Sequence, residues 1–545
     1  TGTLSAATYN TALGIGAMNA ITQGDYNVAI GYNAATTLTT GTHNTLIGGQ
    51  AGDALTTGAR NVAIGFNALT TEDGNGYTVA VGYEALKTQN AGAEVYNVAV
   101  GYQAGLAITT GGYNTLMGAY TGDALTTGAN NVAVGYAALS TEDEHGYNVA
   151  IGNYALQDLN AGGHGYHVAI GYNAGKELTT GIRNAILGSA AGDALTTGSY
   201  NVAIGYEALS AEDTHGRNVA IGYQALTTQD AGADAYNVAV GFYAGTAVTT
   251  GIESVFIGGL AGDAITTGSA NVAIGYSALS TEDTMGNNVA IGYKALQDLN
   301  AGENGNTVAI GAEAGRRLST GVKNTIVGAL AGDHLTSGNY NVAIGYQALT
   351  LEDEHDRNVA IGYNTLRDQD AGADAYNIAI GYEAGKVVST GIRNTIIGGL
   401  AGDSITTGFE NVAIGYEALG ANTIGNGNVA IGRDAMNVNV AGDRNVAVGS
   451  EALKNMTSAS TLDTYNTAIG YNAGKFVTSG IQNTLIGGLA GDALTTGYRN
   501  AVLGYNALGA ETTGAASVAI GYHALRYQNT ESYNYNIAIG AEAGQ

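Results

Sequence analysis

The chain has 545 residues with 86 Gly, no Pro, no Cys and no Trp, yet 45% of it is hydrophobic, which is too apolar for a disordered low-complexity chain and lacks the strict glycine period of collagen. Its 45 acidic residues against 19 basic ones leave a net charge of −26, so phosphate backbones are repelled and nucleic acid is not expected as a partner. Without Cys there is neither a disulfide framework nor thiol chemistry, and no apolar run approaches the roughly 20 residues of a membrane span.

From the N-terminus onward one short motif recurs. "NTALG" begins at residue 10, "NVAIGY" at 27 and "NTLIGG" at 44, and the nine residues "NVAIGYEAL" stand at 201–209 and again at 411–419. Taking Asn201 and its equivalents as the phase mark, the copies number 31, the last at Asn536. The spacing is 17 at most steps and 19 at every fourth, so four copies make a 70-residue super-repeat, marked by positions 27, 97, 167, 237, 307 and 377. After 377 the pattern slips once, with an additional 17 and a step of 21 before Asn466. Length alone suggests three or four domains. The unbroken period overrides that, and predicts a single array over 1–545.

Within each copy "NVAIGY" is rich in Val, Ile and Tyr and too short between glycines for a helix, so it reads as a strand. Gly follows the phase mark by four residues in every copy, as Gly31 follows Asn27, Gly205 follows Asn201 and Gly415 follows Asn411. A position that never carries a side chain points to an unusual backbone angle or a close backbone approach. The second half, "ALTTG" or "AGDALTTG", reads as a shorter strand and a turn. Two strands and two turns make one coil of an all-β β-solenoid, a parallel β-roll of about 31 coils of 17–21 residues, with the phase-mark Asn side chains stacked in register. At about 4.8 Å per coil the array would be a rod roughly 144 Å long.

Alternate strand residues face opposite sides, so Val28, Ile30 and Tyr32 share one face while Ala29 and Gly31 share the other. Every fourth copy replaces the Ala with a large residue: Leu46, Leu116, Ile186, Phe256, Ile326, Ile396 and Leu485. Both strand faces are therefore apolar. With the Val28 face taken as the inside of a narrow coil, the face of Ala29 and these seven residues is left outward and needs a cover. The expected cover is another copy of the chain, in a homotrimer whose axis these residues line. A single-chain coil with a harmless small-residue surface is the alternative.

The motifs "NVAIGY", "NTLIGG" and "NTAIGY" resemble the head repeats of YadA-like trimeric autotransporter adhesins and, more closely in their 17-residue spacing and recurrent "TTG", the arrays of phage tail-fibre proteins. The resemblance covers essentially the whole chain. It implies a left-handed parallel β-roll, three chains around a common axis, and an extracellular shaft or head that holds or forms a surface for a host-cell glycan or protein receptor. A start at Thr1 without Met, and an end partway through a copy, lead us to expect a piece of a longer fibre chain.

Turn residues carry whatever chemistry there is. Acidic turns recur with the super-repeat, with Glu72 and Asp73, then Glu142, Asp143 and His145, then Glu212, Asp213 and His215, then Glu352 to Asp356. Their oxygen and nitrogen ligands fit Ca²⁺ or a transition metal only in part, and a solvated acidic edge is the favoured reading. Asp53, Asp123, Asp193, Asp263, Asp333, Asp403 and Asp492 precede Thr-Thr-Gly or similar turns and are read as local partners of backbone N–H groups. Lys176, Arg183, Arg316, Arg317, Lys323, Lys386, Arg393 and Lys475 either set the register between chains or are scattered surface charge. Tyr32, Tyr83, Tyr102 and Tyr206 fit sugar stacking or coil packing, and packing is favoured because Tyr32 shares the face of Val28.

No residue set stands apart from the period as a catalytic centre, and no cofactor motif occurs. Three readings follow: a trimeric structural and adhesive fibre segment, favoured; a single-chain solenoid binding a repetitive target such as a glycan or ice; and a Ca²⁺-stabilised secreted roll.

Overall fold

The computed structural model describes residues 7–457, 463–530 and 533–545. Two compact units make up the chain, Thr1–Asn271 and Val272–Gln545. The described residues are all-β. Thirty-one strands of three residues run from β1 (Thr11–Leu13) to β15 (Val255–Ile257) in the first unit and from β16 (Val272–Ile274) to β31 (Ile537–Ile539) in the second. Within each unit successive strands pair in parallel, residue for residue, as in Val28↔Thr45, Ala29↔Leu46 and Ile30↔Ile47. The longer steps are absorbed without loss of register: Val149 pairs with Val168, and Val446 with Thr467, as directly as strands at the ordinary spacing do. The fold is a β-solenoid of stacked coils. Among the described residues no helix is long and apolar enough to cross a membrane.

Each coil carries one strand where two were expected. The half that begins at Ala34 forms turns and bends, although its backbone still bonds to the next coil, for example Ala35 N–H to Ala51 O at 3.0 Å and Thr39 N–H to Thr56 O at 2.9 Å. Positive φ explains the missing strand: Asn33 (+55°) and Ala35 (+54°) bend the chain where a second strand would need extended backbone.

The Asn ladder is present and does more than stack. Asn27 Oδ1 accepts the backbone N–H of Asn44 at 2.9 Å, and its Nδ2 donates to Gly41 O at 2.8 Å. Asn201 and Asn411 repeat both bonds, to Asn218 N and His215 O and to Asn428 N and Gly425 O. One buried amide thus joins two coils and staples the turn of its neighbour. Thr78, His167, Ser254, Thr307 and Ser517 occupy the phase mark in the other copies. His167 reproduces the amide's geometry, its Nε2–H donating to Gly181 O at 2.9 Å while Nδ1 accepts from Asn184 N at 3.2 Å. That pattern requires the neutral ring, and burial pushes the His167 pKa down to about 4.

The glycine four residues after the phase mark has φ of +139° at Gly31 and +135° at both Gly205 and Gly415. A Cβ on Gly31 would overlap the carbonyl of Gly48 in the next coil, and Gly205 stands in the same way against Gly222. Close backbone approach and a forbidden angle act together here.

Two outcomes are expected. Gly205→Ala should destabilise its coils by more than about 1 kcal/mol, seen as a local loss of amide-exchange protection. A His whose folded pKa lies below its ordinary 6.5 stabilises the fold above that value and loses this contribution as pH falls toward 4. His167→Asn should therefore abolish any loss of exchange protection around Asn184 at pH 5 relative to pH 8, with rates taken relative to intrinsic exchange at each pH, since Asn does not titrate.

Candidate functional site: the outer strand face and the acidic turns

Inside and outside are reversed relative to the sequence-based expectation. Ala29, Leu46, Leu116, Ile186, Phe256, Ile326, Ile396 and Leu485 are all fully buried within a single chain, and so have no surface with which to meet a second copy. The proposed axis residues are the coil's own core. Volume explains it: the interior of a coil this narrow holds an Ala at the strand centre together with a Leu eight residues past the phase mark, as with Ala63 and Leu69 or Ala203 and Leu209. At the seven copies with Leu, Ile or Phe at the strand centre, the other position is Gly. A Cβ on Gly52 would press on Leu46, one on Gly122 on Leu116, and one on Gly262 on Phe256. Where both positions are small, as with Ala99 and Gly105, side chains of the adjacent coils fill the space, since a Cβ on Gly105 would press on Leu86 and Leu116.

The other face is left outside. Val168, Ile170 and Tyr172 are 37%, 38% and 54% exposed, and Tyr32 is 60% exposed, which overturns its expected packing in the coil interior. Met117 and Ile257 in the first unit and Leu503 in the second are further exposed members of this strand face. Within a unit the tyrosines stack: Tyr83 on Tyr102 with centroids 5.1 Å apart, and Tyr346, Tyr363 and Tyr382 at 5.6 and 5.4 Å. A second row lies just before the phase mark, where Tyr77, Tyr96 and Tyr113 stack at 5.3 and 5.6 Å and the Arg183 and Arg217 guanidinium groups lie 5.5 and 5.7 Å from the Tyr200 ring centroid.

The acidic turns are not simply a solvated edge. Glu72, Glu142, Glu212, Glu282 and Glu352 are fully buried, because each carboxylate turns inward to accept the backbone N–H three residues on. The distances are 3.0 Å from Asn75, His145, His215 and Met285, and 3.2 Å from His355. Burial raises the pKa of Glu212, Glu282 and Glu352. Asn422 and Asn439 perform the same capping with an amide, at 2.8 and 3.0 Å. Asp143 and Asp213 beside them remain partly exposed. Composition showed the charge of these turns, while the capping signal was their fixed spacing of three from Glu to the next backbone N–H.

The second carboxylate series is half-buried. Oδ1 of Asp123, Asp263 and Asp492 has no hydrogen-bond partner in the structure, so the expected satisfaction of the following turn is not what holds those atoms. Burial is the main cause that raises the pKa of Asp53, Asp123, Asp193, Asp263, Asp403 and Asp492. Asp333 is instead paired with Arg316, Oδ1 to Nε at 3.0 Å. Other basic residues find carboxylates within their own chain: Lys386 with Glu383 at 3.1 Å, Arg393 with Glu410 at 3.2 Å, and Lys475 with Glu451 at 2.5 Å. Exposed pairs of this kind contribute little to stability, about 0 to 1 kcal/mol each.

An Asp whose folded pKa is raised stabilises the fold in its protonated form, and that contribution is lost as pH rises above the ordinary 3.8 and through the raised value. Asp123→Asn should therefore raise Tm at pH 8 by on the order of 1 °C, with the gain shrinking as pH is lowered toward 4. Calorimetry of both forms across that range checks it. No protein-family model and no curated protein matches the chain.

Proposed function

We propose that the chain is a structural and adhesive fibre segment whose copies associate through the outward Val, Ile and Tyr face of the strands. The carrying observation is the partial exposure of that face on coil after coil, greatest where Val168 and Ile170 in the first unit and Ile378 and Ile380 in the second are more than a third exposed. Soluble monomers seldom expose apolar patches beyond a few hundred Å², and association covers such a stripe. Three chains around one axis cover all copies equally and close the assembly. Resemblance to phage tail-fibre and YadA-like repeats supports that count, an extracellular setting on a virion or bacterial surface, and a role in holding or forming a receptor-binding surface. The role is non-enzymatic on this reading: the repeated geometry of each coil serves stacking, and the acidic surface keeps the assembly soluble.

A second reading is favoured by one observation, the exposed stacked tyrosines. Rings about 5 Å apart form a platform on which a single chain could hold a glycan.

Light scattering on the full chain separates the two. Trimers are expected. Ile170→Asp with Ile380→Asp places one charge on the outer face of each unit, where burying it costs several kcal/mol, and should give a smaller species with unchanged circular dichroism because neither side chain belongs to the coil core. A monomeric unmodified chain would sink the shared-axis reading and leave the glycan platform.

A further inference from the structure

The acidic turns differ from one another in a way that the capping role does not require. Among the described residues, three groups bring carboxylates and an imidazole together with their ligand atoms within 4.8 Å of one another: Glu212, Asp213, His215 and Asp230; Glu352, Asp353, His355 and Asp370; and the smaller set Glu142, Asp143 and His145. Ligands about 2.1 Å from one ion lie roughly 3.4 to 4.2 Å apart, so a small closure suffices. The fourth ligand comes from the neighbouring coil, where Asp230 and Asp370 stand in "TQDAG" and "DQDAG" while Asn160 takes that place in "DLNAG".

An orphaned carboxylate oxygen distinguishes the same two turns, whereas in the third the buried atom without a partner is His145 Nδ1. In the capping role only one oxygen of the buried Glu is used. At Glu72 the second oxygen, Oε2, accepts from Gln89 Nε2 at 3.2 Å, and at Glu142 it accepts from Ala161 N at 3.2 Å. Glu352 is fully buried, and its Oε2 has no partner. The Gln that would fill the role is engaged elsewhere: Gln369 donates to Asn358 Oδ1 at 3.1 Å and accepts from Asn377 Nδ2 at 2.9 Å. Oε2 of the buried Glu212 also accepts no hydrogen bond, although there the matching Gln229 leaves its Nε2 without a partner too. A buried carboxylate oxygen with nothing to bind is costly, and in both turns it sits beside two further carboxylates and a histidine. Asp353 and Asp370 also line a cavity of about 620 Å³ with His334, Arg317 and Asp368, which gives an ion a route in from solvent.

We propose that Glu352, Asp353, His355 and Asp370 form a binding site for a divalent transition cation such as Zn²⁺ or Mn²⁺, and that Glu212, Asp213, His215 and Asp230 form a second site of the same kind. One imidazole among carboxylates suits these ions, whereas Ca²⁺ asks for six to eight oxygens. In the Glu352 turn, His355 Nδ1 bonds Glu352 Oε1 at 2.9 Å. Loading the site replaces that proton contact with metal contacts and supplies Oε2 with a partner.

Isothermal titration of the full chain with Zn²⁺, Mn²⁺ and Ca²⁺ in turn tests this. The expected result is two ions of Zn²⁺ or Mn²⁺ per chain, at least tenfold tighter than Ca²⁺. His355→Gln and Asp370→Asn should each remove one ion, and His215→Gln the other, while His145→Gln removes none. Asp370 is exposed, so its variant tests ligation without disturbing the fold, and circular dichroism confirms that. Co²⁺ loading adds a visible ligand-field spectrum that should halve in His355→Gln. No binding at 100-fold molar excess, binding indifferent to these variants, a third ion lost with His145→Gln, or a preference for Ca²⁺ would each overturn the proposal.

Discussion

Everything in the coil hangs on one hydrogen bond, the acceptance by an Asn side-chain oxygen of the backbone N–H of the next phase mark, one coil further on. A side chain that spans from its own coil to the next has to be the right length and to carry an acceptor and a donor in fixed relation. Asn satisfies both conditions, and its Nδ2 reaches the Gly carbonyl that closes the neighbouring turn. Because the bond is buried, losing it strands a polar group in a medium where unpaired groups cost about 1 to 3 kcal/mol. That is why the replacements are Thr, Ser and His, all of which retain a hydrogen-bonding atom. His167 shows the constraint most clearly, since an aromatic ring is admitted only by copying the spacing of an amide and giving up its charge.

A second constraint is volume. Stacked coils share one interior, and side chains of adjacent coils fill it together. Ala with Leu and Leu with Gly fill their own coils, while Ala99 with Gly105 leaves room that Leu86 and Leu116 of the adjacent coils take up. Phe256 is the extreme case, flanked by Gly245 and Gly262, where added Cβ atoms would press on its ring. This compensation also determines which face of the strand is inside. The Val and Ile of the other face lie outside, where they carry β-propensity without filling the core.

Much of this was legible before the fold was known. The period, the parallel register, the stacked Asn and the glycine at a close approach could be read from Asn27, Gly31 and their copies, because each of these positions is decided by contacts with an identical neighbour. What was misread depended on comparing two positions within one repeat. Leu46 looked like an outward residue when judged against Ala29 alone; judged with Gly52, the exchange of volume places both in the same interior. The second expected strand failed for another reason, since positive φ at Asn33 and Ala35 is a property of the turn and not of composition. The acidic turns were legible as charge only. That Glu212 and Glu352 turn inward, while Asp213 and Asp353 beside them do not, follows from the backbone N–H three residues later, and a run of acidic letters does not display it.

The strict one-to-one pairing of each coil with its neighbour also bears on how such a chain can change over generations. The contacts between coils repeat with the super-repeat, so inserting or deleting a whole super-repeat preserves the kind of contact each remaining coil makes. A gain or loss of a single residue inside the strand shifts every following side chain to the opposite face. Gene duplication in multiples of the repeat is therefore nearly free of structural penalty, while small frame-preserving indels in the strand are not. The number of coils becomes a quantity that recombination can adjust without redesigning any one of them.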